Sequence, residues 1–292
     1  MPYTDTDDVR IYYEVFGRPG DPLVVLISGG GAQLLSWRPE LIGLLVAEGL
    51  RVVRFDNRDT GLSHRFGGTE DLDGGYGLGD MGDDVVRILD DLGIEAAHVV
   101  GHSMGGMMAQ MVAIEHPERV RGLGLISTIP GQDPRYVLHE RADLGAVSQR
   151  HPRELLVAGA GEYARSASSA RYPIDVEWMR RAAGEAYDRG YAPEGFARQW
   201  SALFRAPERL ELLRAVTVPA LVLHGRDDDA LHWSASVDIA AALQCAELQV
   251  HPGMGHLIPD GLWPVLVDGI ARTVRHGEEL APSSRPGDGA GR

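Results

Sequence analysis

The sequence predicts an α/β fold: a mostly parallel central sheet flanked by helices, interrupted once by a helical insertion. Three observations predict it. Apolar runs of four or five residues recur along the chain, as short as strands and without polar alternation, which is the pattern of strands buried on both faces of a parallel sheet. Segments with apolar residues at helical spacing separate these runs. Between about Ile129 and Ala215 the alternation stops, and helical character continues without a clear strand.

Asp8–Phe16 (DVRIYYEVF) opens the chain as a strand, with β-branched and aromatic residues in rough alternation. Leu23–Ile27 (LVVLI) is the next, bounded by Pro22 and the run Gly29-Gly30-Gly31. Arg51–Phe55, Ala97–Val100, Gly122–Ile126, Ala220–Leu223 and Glu247–Val250 are the remaining strands. Asp80–Leu92 reads as a helix that starts on a capping aspartate, carries Val85, Ile88, Leu89 and Leu92 on one face, and stops at Gly93. Met104–Glu115 is a helix that ends before Pro117. Val237–Leu243 and Leu262–Arg275 fill the last helical slots. The chain therefore divides into a core of residues 1–128 and 216–279, a helical insertion at 129–215, and a Pro-, Gly- and Ser-rich tail at 280–292 expected to be disordered.

Composition narrows the chemistry. A formal net charge of -14 repels phosphate backbones, so nucleic acid is not expected as a partner. No apolar run approaches a membrane span. The opening MPYTDTDDVR lacks a basic start and an apolar core, which points away from a signal peptide and toward the cytoplasm. The single cysteine, Cys245, excludes an internal disulfide and a cysteine-rich zinc site, and its apolar surroundings read as a small buried side chain. Every basic residue other than histidine is an arginine. Without lysine the chain has no Schiff-base chemistry, no Ser–Lys dyad and no P-loop lysine. His98, His116, His139, His151, His224, His232 and His276 show no metal-ligand spacing, so no metal site is expected.

Gly101-His102-Ser103-Met104-Gly105 matches G-x-S-x-G, with a strand running in and a helix running out. That context pushes the Ser103 hydroxyl outward on a sharp turn and sets it at a helix N-terminus, whose field favours a developing oxyanion. A serine hydroxyl needs a base, and the base needs an orienting acid. Both stand downstream at strand ends. His224-Gly225-Arg226-Asp227-Asp228-Asp229 follows one strand, and His251-Pro252-Gly253-Met254-Gly255-His256 follows the next. His256, on the loop beyond the strand, is preferred to His251 as base. Asp228 is preferred as acid, with Asp227 second. The oxyanion donors are expected to be the N–H of Met104 and one from the glycine loop: Gly30, with Gly29 and Gly31 as rivals.

With these residues in place the chain resembles the α/β-hydrolase superfamily, through SGGGAQLLSW, FDNRDTGLS, GHSMGG, VTVPALVLHGRDD and PGMGH in that order. The runs FDNRDTGLS and PGMGHLIP resemble, more narrowly, the aclacinomycin methylesterase-like serine esterases, which remove a methyl ester from an anthracycline polyketide. The resemblance implies Ser103, Asp228 and His256 as triad, Gly30 and Met104 as oxyanion donors, and an insertion that caps the active site. His102 stands where those methylesterases carry an apolar residue, and the first loop lacks their asparagine. Asp56, Arg58 and Asp59 lie in a loop that is structural in the superfamily, a brace for the sheet edge.

The expected function is hydrolysis of a carboxylic ester through an acyl-enzyme on Ser103, on a small-molecule substrate such as the methyl ester of an aromatic or polyketide-like compound. Hydrolysis by a serine, a histidine and an aspartate needs no organic cofactor. Gly31, His102, Trp178 and Trp200 are the candidate pocket residues. The insertion holds nine of the chain's 19 Trp, Tyr and Phe side chains, which either line a pocket or pack the insertion onto the core. The same triad also supports C–C bond hydrolysis, acyl transfer, cyclisation or cofactor-free peroxidase chemistry, and the same fold serves in small-molecule receptors. The sequence carries no signal for oligomeric state.

Overall fold

Leu23, Val25 and Ile27 point into one hydrophobic cluster while Val24 and Leu26 point into another, so a strand with no polar residue still obeys a period of two. This double burial organises the fold. A computed structural model describes residues 3–4, 9–140 and 142–281. Its strands are β1 (Tyr13–Phe16), β2 (Leu23–Ile27), β3 (Arg51–Phe55), β4 (Ala97–His102), β5 (Val120–Ile126), β6 (Ala220–Gly225) and β7 (Ala246–His251). They form one sheet in the order β1-β3-β2-β4-β5-β6-β7. β1 runs antiparallel to β3, and every other pair is parallel.

The helices that cover the sheet are α1 (Pro39–Ala47), α2 (Leu78–Asp91) and α3 (Met104–Glu115), then, after the insertion helices α4 (Leu144–Val147), α5 (Arg153–Ala167), α6 (Val176–Gly190) and α7 (Pro193–Phe204), α8 (Ser234–Ala242) and α9 (Trp263–Leu280). α2, α3 and α8 pack on the face reached by Val25 and Val99; α1 and α9 pack on the opposite face, reached by Leu26 and Val100. Both faces are thereby covered, which is why the inner strands carry no polar alternation. α5 and α6 lie against each other, and α4 lies against α7.

Several expectations are corrected in detail. α1 is absent from the sequence reading: its apolar residues surround Gly43 without a clear period. Its end signals were present, with Pro39 in the first turn and Gly49 at φ +78° just beyond the C-terminus. α2 starts earlier than expected. Gly77 is its N-cap, and Asp80 sits three residues inside, where its carboxylate accepts the Gly77 N–H at 2.8 Å. Only Tyr13–Phe16 of the first expected strand is regular, preceded by an isolated bridge between Tyr3 and Tyr12, and Asp8 lies outside the described residues. Residues 282–292 of the expected tail also lie outside them, and Leu280 still belongs to α9. Cys245 is half-buried in the turn before β7, with its Sγ 3.9 Å from His276 Nδ1, because α8 ends at Ala242 and never encloses it.

Candidate active site

The site begins at the turn between β4 and α3. Ser103 holds φ 56° and ψ −123°, a conformation that costs a non-glycine residue strain. The turn is tight enough to require its glycines. A Cβ on Gly101 would lie 2.0 Å from the Gly105 carbonyl oxygen, and one on Gly105 would lie 2.3 Å from that of Ile27. Hydrogen bonds pin the strained residue. Ser103 N–H donates to the Ile126 carbonyl at 2.9 Å, and the Ser103 carbonyl accepts the Thr128 hydroxyl at 2.8 Å. Thr128 was not singled out in the sequence, because it follows a different strand and carries no local signal.

The structure brings together the three residues named for the triad. Ser103 Oγ lies 3.1 Å from His256 Nε2, and His256 Nδ1 lies 2.8 Å from Asp228 Oδ2. With the carboxylate ionised, Nδ1 carries the proton and Nε2 accepts from the serine hydroxyl. Asp228 wins over its neighbours through its turn. Its Oδ1 accepts the Ala230 and Leu231 N–H groups, each at 2.9 Å. Asp227 instead accepts the Gly253 N–H at 3.1 Å, outside the cluster, and Asp229 is exposed. His251 stays on β7 with its Nε2 3.1 Å from Gln249 Oε1.

One partner of Asp228 escaped the sequence reading. His224 Nε2 lies 3.2 Å from Asp228 Oδ2, and its Nδ1 lies 2.6 Å from Ser236 Oγ. The available signal was the i, i+4 placement of His224 and Asp228 at a strand end. Burial alone would raise the Asp228 pKa, but the hydrogen bonds from His224 and His256 and the Leu231 N–H outweigh it and hold the carboxyl well below its usual range. Asp228 is thus held as the carboxylate beside His256 Nδ1. His102, next to the serine, is held neutral: burial first, then the neighbouring His256, push its pKa down to about 4. Its Nε2–H donates to the His256 backbone carbonyl at 2.8 Å and so props the loop that carries His256.

Met104 is the first residue of α3, so its N–H is among the helix donors without an intrahelical acceptor. It and Gly30 border the same cavity as Ser103. The Gly31 N–H is already engaged, donating to Gln199 Oε1 at 2.8 Å, and the Gly29 carbonyl accepts from Ala32 at 3.2 Å. This arrangement favours Gly30 over Gly31. Gly31, a candidate pocket residue, has φ +68°, lies close to the Phe196 ring, and is not among the residues lining the two cavities that meet at Ser103.

Two cavities meet at Ser103, Gly30, Tyr163 and His256. The first, about 340 Å³, is apolar and includes Met107, Ile129, Phe196, Trp200 and Leu203. The second, about 330 Å³, includes His102, Trp37, Arg38, Trp178 and Trp263. Of the candidate pocket residues, Trp200 borders the first cavity and Trp178 and His102 border the second. Arg38 lies between Trp178 and Trp263, 4.8 and 4.7 Å from the ring centres, and pairs with Asp260 at 2.7 Å. Other insertion aromatics serve packing: Tyr187 and Tyr191 stack on each other at 5.1 Å.

The loop FDNRDTGLS braces more than the sheet edge. Arg58 pairs with Asp84 of α2 through two contacts of 2.7 and 2.8 Å. Asp56 and Asp59 reach the other way, into the insertion. Arg189 of α6 contacts Asp56 at 3.0 Å, and Arg198 of α7 contacts Asp59 at 2.7 and 3.0 Å. Tyr76 donates to the same Asp59 at 2.8 Å. Both carboxylates are fully buried. Among the described residues, no group of three or more His, Cys, Asp or Glu is placed to hold a metal ion, and no helix is long and apolar enough to cross a membrane.

Comparison with known proteins agrees with this architecture. The sequence model of the α/β-hydrolase fold family matches residues 22–260. The chain is 32% identical over 251 residues to RutD, a proposed carbamate hydrolase of Variovorax paradoxus (strain S110), covering 84% of this chain and 89% of that protein. It is 28% identical over 298 residues to rhodomycin D methylesterase DnrP of Streptomyces peucetius, covering 92% and 96%. A solved hydrolase from Pseudomonas aeruginosa PA01 superposes with a TM-score of 0.73 at 24% identity, over 93% of this chain and 97% of that one.

Proposed function

The chain belongs to the α/β-hydrolase fold family, and from that premise we propose that it is a serine esterase acting through Ser103, His256 and Asp228. The observation that carries the proposal is the continuous chain of contacts from Ser103 Oγ through His256 to a buried, ionised Asp228. His256 removes the serine proton as Oγ attacks the ester carbonyl, and the Met104 and Gly30 N–H groups receive the oxyanion. The protonated His256 then delivers its proton to the departing alkoxide. Water activated by the same histidine releases the acid. The insertion, residues 129–215, acts as a cap, since Trp178 and Trp200 border the cavities on either side of the serine.

The substrate we propose is the ester of an aromatic small molecule. The apolar cavity with Phe196 and Trp200 supports an aromatic acyl group, and similarity to the methylesterase DnrP supports a small leaving alcohol. Similarity to RutD favours a carbamate as the second reading, cleaved by the same serine. A panel of methyl benzoates, methyl naphthoates and aryl carbamates, with product identification, tests both. Turnover of the aromatic methyl esters that vanishes in Ser103→Ala is the expected result. Turnover that persists in Ser103→Ala would overturn the assignment, and turnover of carbamates alone would move the second reading ahead.

A further inference from the structure

Gly195, Phe196, Arg198 and Gln199 occupy one face of α7, and all four bear on the loops around the oxyanion site. A Cβ on Gly195 would lie 2.1 Å from the Asp59 carbonyl oxygen, so the helix backbone rests directly on the FDNRDTG loop. Phe196 packs over Gly30 and Gly31. Arg198 is locked to Asp59. Gln199 is fully buried and bridges the two loops: its Oε1 accepts the Gly31 N–H at 2.8 Å, and its Nε2 donates to the Arg58 carbonyl at 2.7 Å. The amide can stand only one way round, because one partner is a donor and the other an acceptor.

We propose that Gln199 is a positioning residue for the oxyanion loop, so that the insertion helps to build the catalytic apparatus besides covering it. The inference rests on the serine-esterase reading. Gly31 sits at φ +68°, and its neighbour Gly30 has no side chain to fix its peptide. Holding the Gly31 N–H from outside fixes the Gly30–Gly31 peptide, while the Gly29–Gly30 peptide, which carries the Gly30 N–H, is held at its carbonyl by the Ala32 N–H; together the two bonds set the peptides on either side of Gly30. The Gln199 contact also keeps Gly31 from competing with Gly30 for the substrate oxygen. An oxyanion donor has to be in place before charge develops, so its orientation affects the transition state more than the bound ester.

The test compares the wild-type chain with Gln199→Met, which keeps the length of the side chain but offers no strong acceptor or donor, and with Gln199→Glu, which when protonated in its buried site keeps both contacts. Assays use an aryl acetate and a fluorophosphonate that titrates the serine. Gln199→Met is expected to lose roughly 10- to 100-fold in kcat with KM within about threefold, and to label to full stoichiometry but more slowly. Gln199→Glu is expected to recover at least about a third of the wild-type kcat. A fully titratable Gln199→Met with wild-type kcat, or one whose loss lies in KM alone, would overturn the inference while leaving the esterase reading intact. A wild-type chain that neither labels nor turns over would instead sink that reading. Should Gln199→Met fail to fold, hydrogen exchange at the wild-type Gly31 amide decides: protection is expected, and exchange as fast as in an open loop contradicts the bridge.

Discussion

At the residue scale, three adjacent aspartates are set apart by backbone geometry, one turned inward, one outward and one exposed. Asp228 turns inward because the Ala230 and Leu231 N–H groups take its Oδ1 and leave Oδ2 for His256. Asp227 is drawn outward to the Gly253 N–H. Replacing Asp228 with Asn should therefore lower kcat by on the order of 10³- to 10⁴-fold, because the wrong His256 tautomer would face the serine. Asp227→Asn should leave kcat within about threefold. Steady-state kinetics on the two variants checks the assignment, and equal losses would contradict it. His102 makes a different prediction. Its folded pKa of about 4 lies below the ordinary value of 6.5, so between those limits the unfolded chain binds the extra proton. Stability is then lost as pH falls from 6.5 to about 4, by about 2 kcal/mol between pH 7 and pH 5. Urea titrations should show a stability difference between wild type and His102→Gln that shifts in the variant's favour by about that amount at pH 5. A difference independent of pH would refute the neutral state of His102. Ser103, Asp228 and His256 were legible as a candidate set because each sits at a strand end beside a local mark, a glycine turn or a G-x-S-x-G. His224 carried only a weak mark, and Thr128 and Gln199 none.

At the scale of elements, legibility followed the range of the forces involved. Buried strands and α3 were readable because period and punctuation are local. α1 was missed where an apolar run around Gly43 blurred its period, although Pro39 and Gly49 marked its ends. The attachment of the insertion was hidden for a stronger reason. Asp56 and Arg189 are 133 residues apart, and Asp59 and Arg198 are 139 apart, so no local spacing rule joins them. Read alone, the loop carboxylates suggested a brace within the core. These ion pairs are buried, and removing one partner strands a charge. Arg198→Met should destabilise the chain by about 3–5 kcal/mol, and adding Asp59→Asn, which removes the charge and tolerates φ 68°, should restore part of that loss. Equilibrium denaturation of the single and double variants measures it. A double variant no more stable than Arg198→Met would show that the cost lies in the packing of α7 and not in the stranded carboxylate.

At the scale of the molecule, the parallel sheet sets the C-terminal ends of β4, β6 and β7 along one edge, with β5 between β4 and β6. Ser103 follows β4, Asp228 follows β6 and His256 follows β7, although the serine and the histidine are 153 residues apart. The fold class and the site's location could be read from the sequence because this topology converts the order of strand ends into adjacency in space. The cavities could not be read, since they form between the core and an insertion whose docking is set by the buried arginine contacts. The central claim is that this assembly activates Ser103. Reaction with a fluorophosphonate followed by peptide mapping tests it most directly. A single adduct on Ser103, absent in Ser103→Ala and slowed by on the order of 10³-fold in His256→Ala, is the predicted result. A folded chain that takes no adduct, or takes it at another residue, would contradict the account.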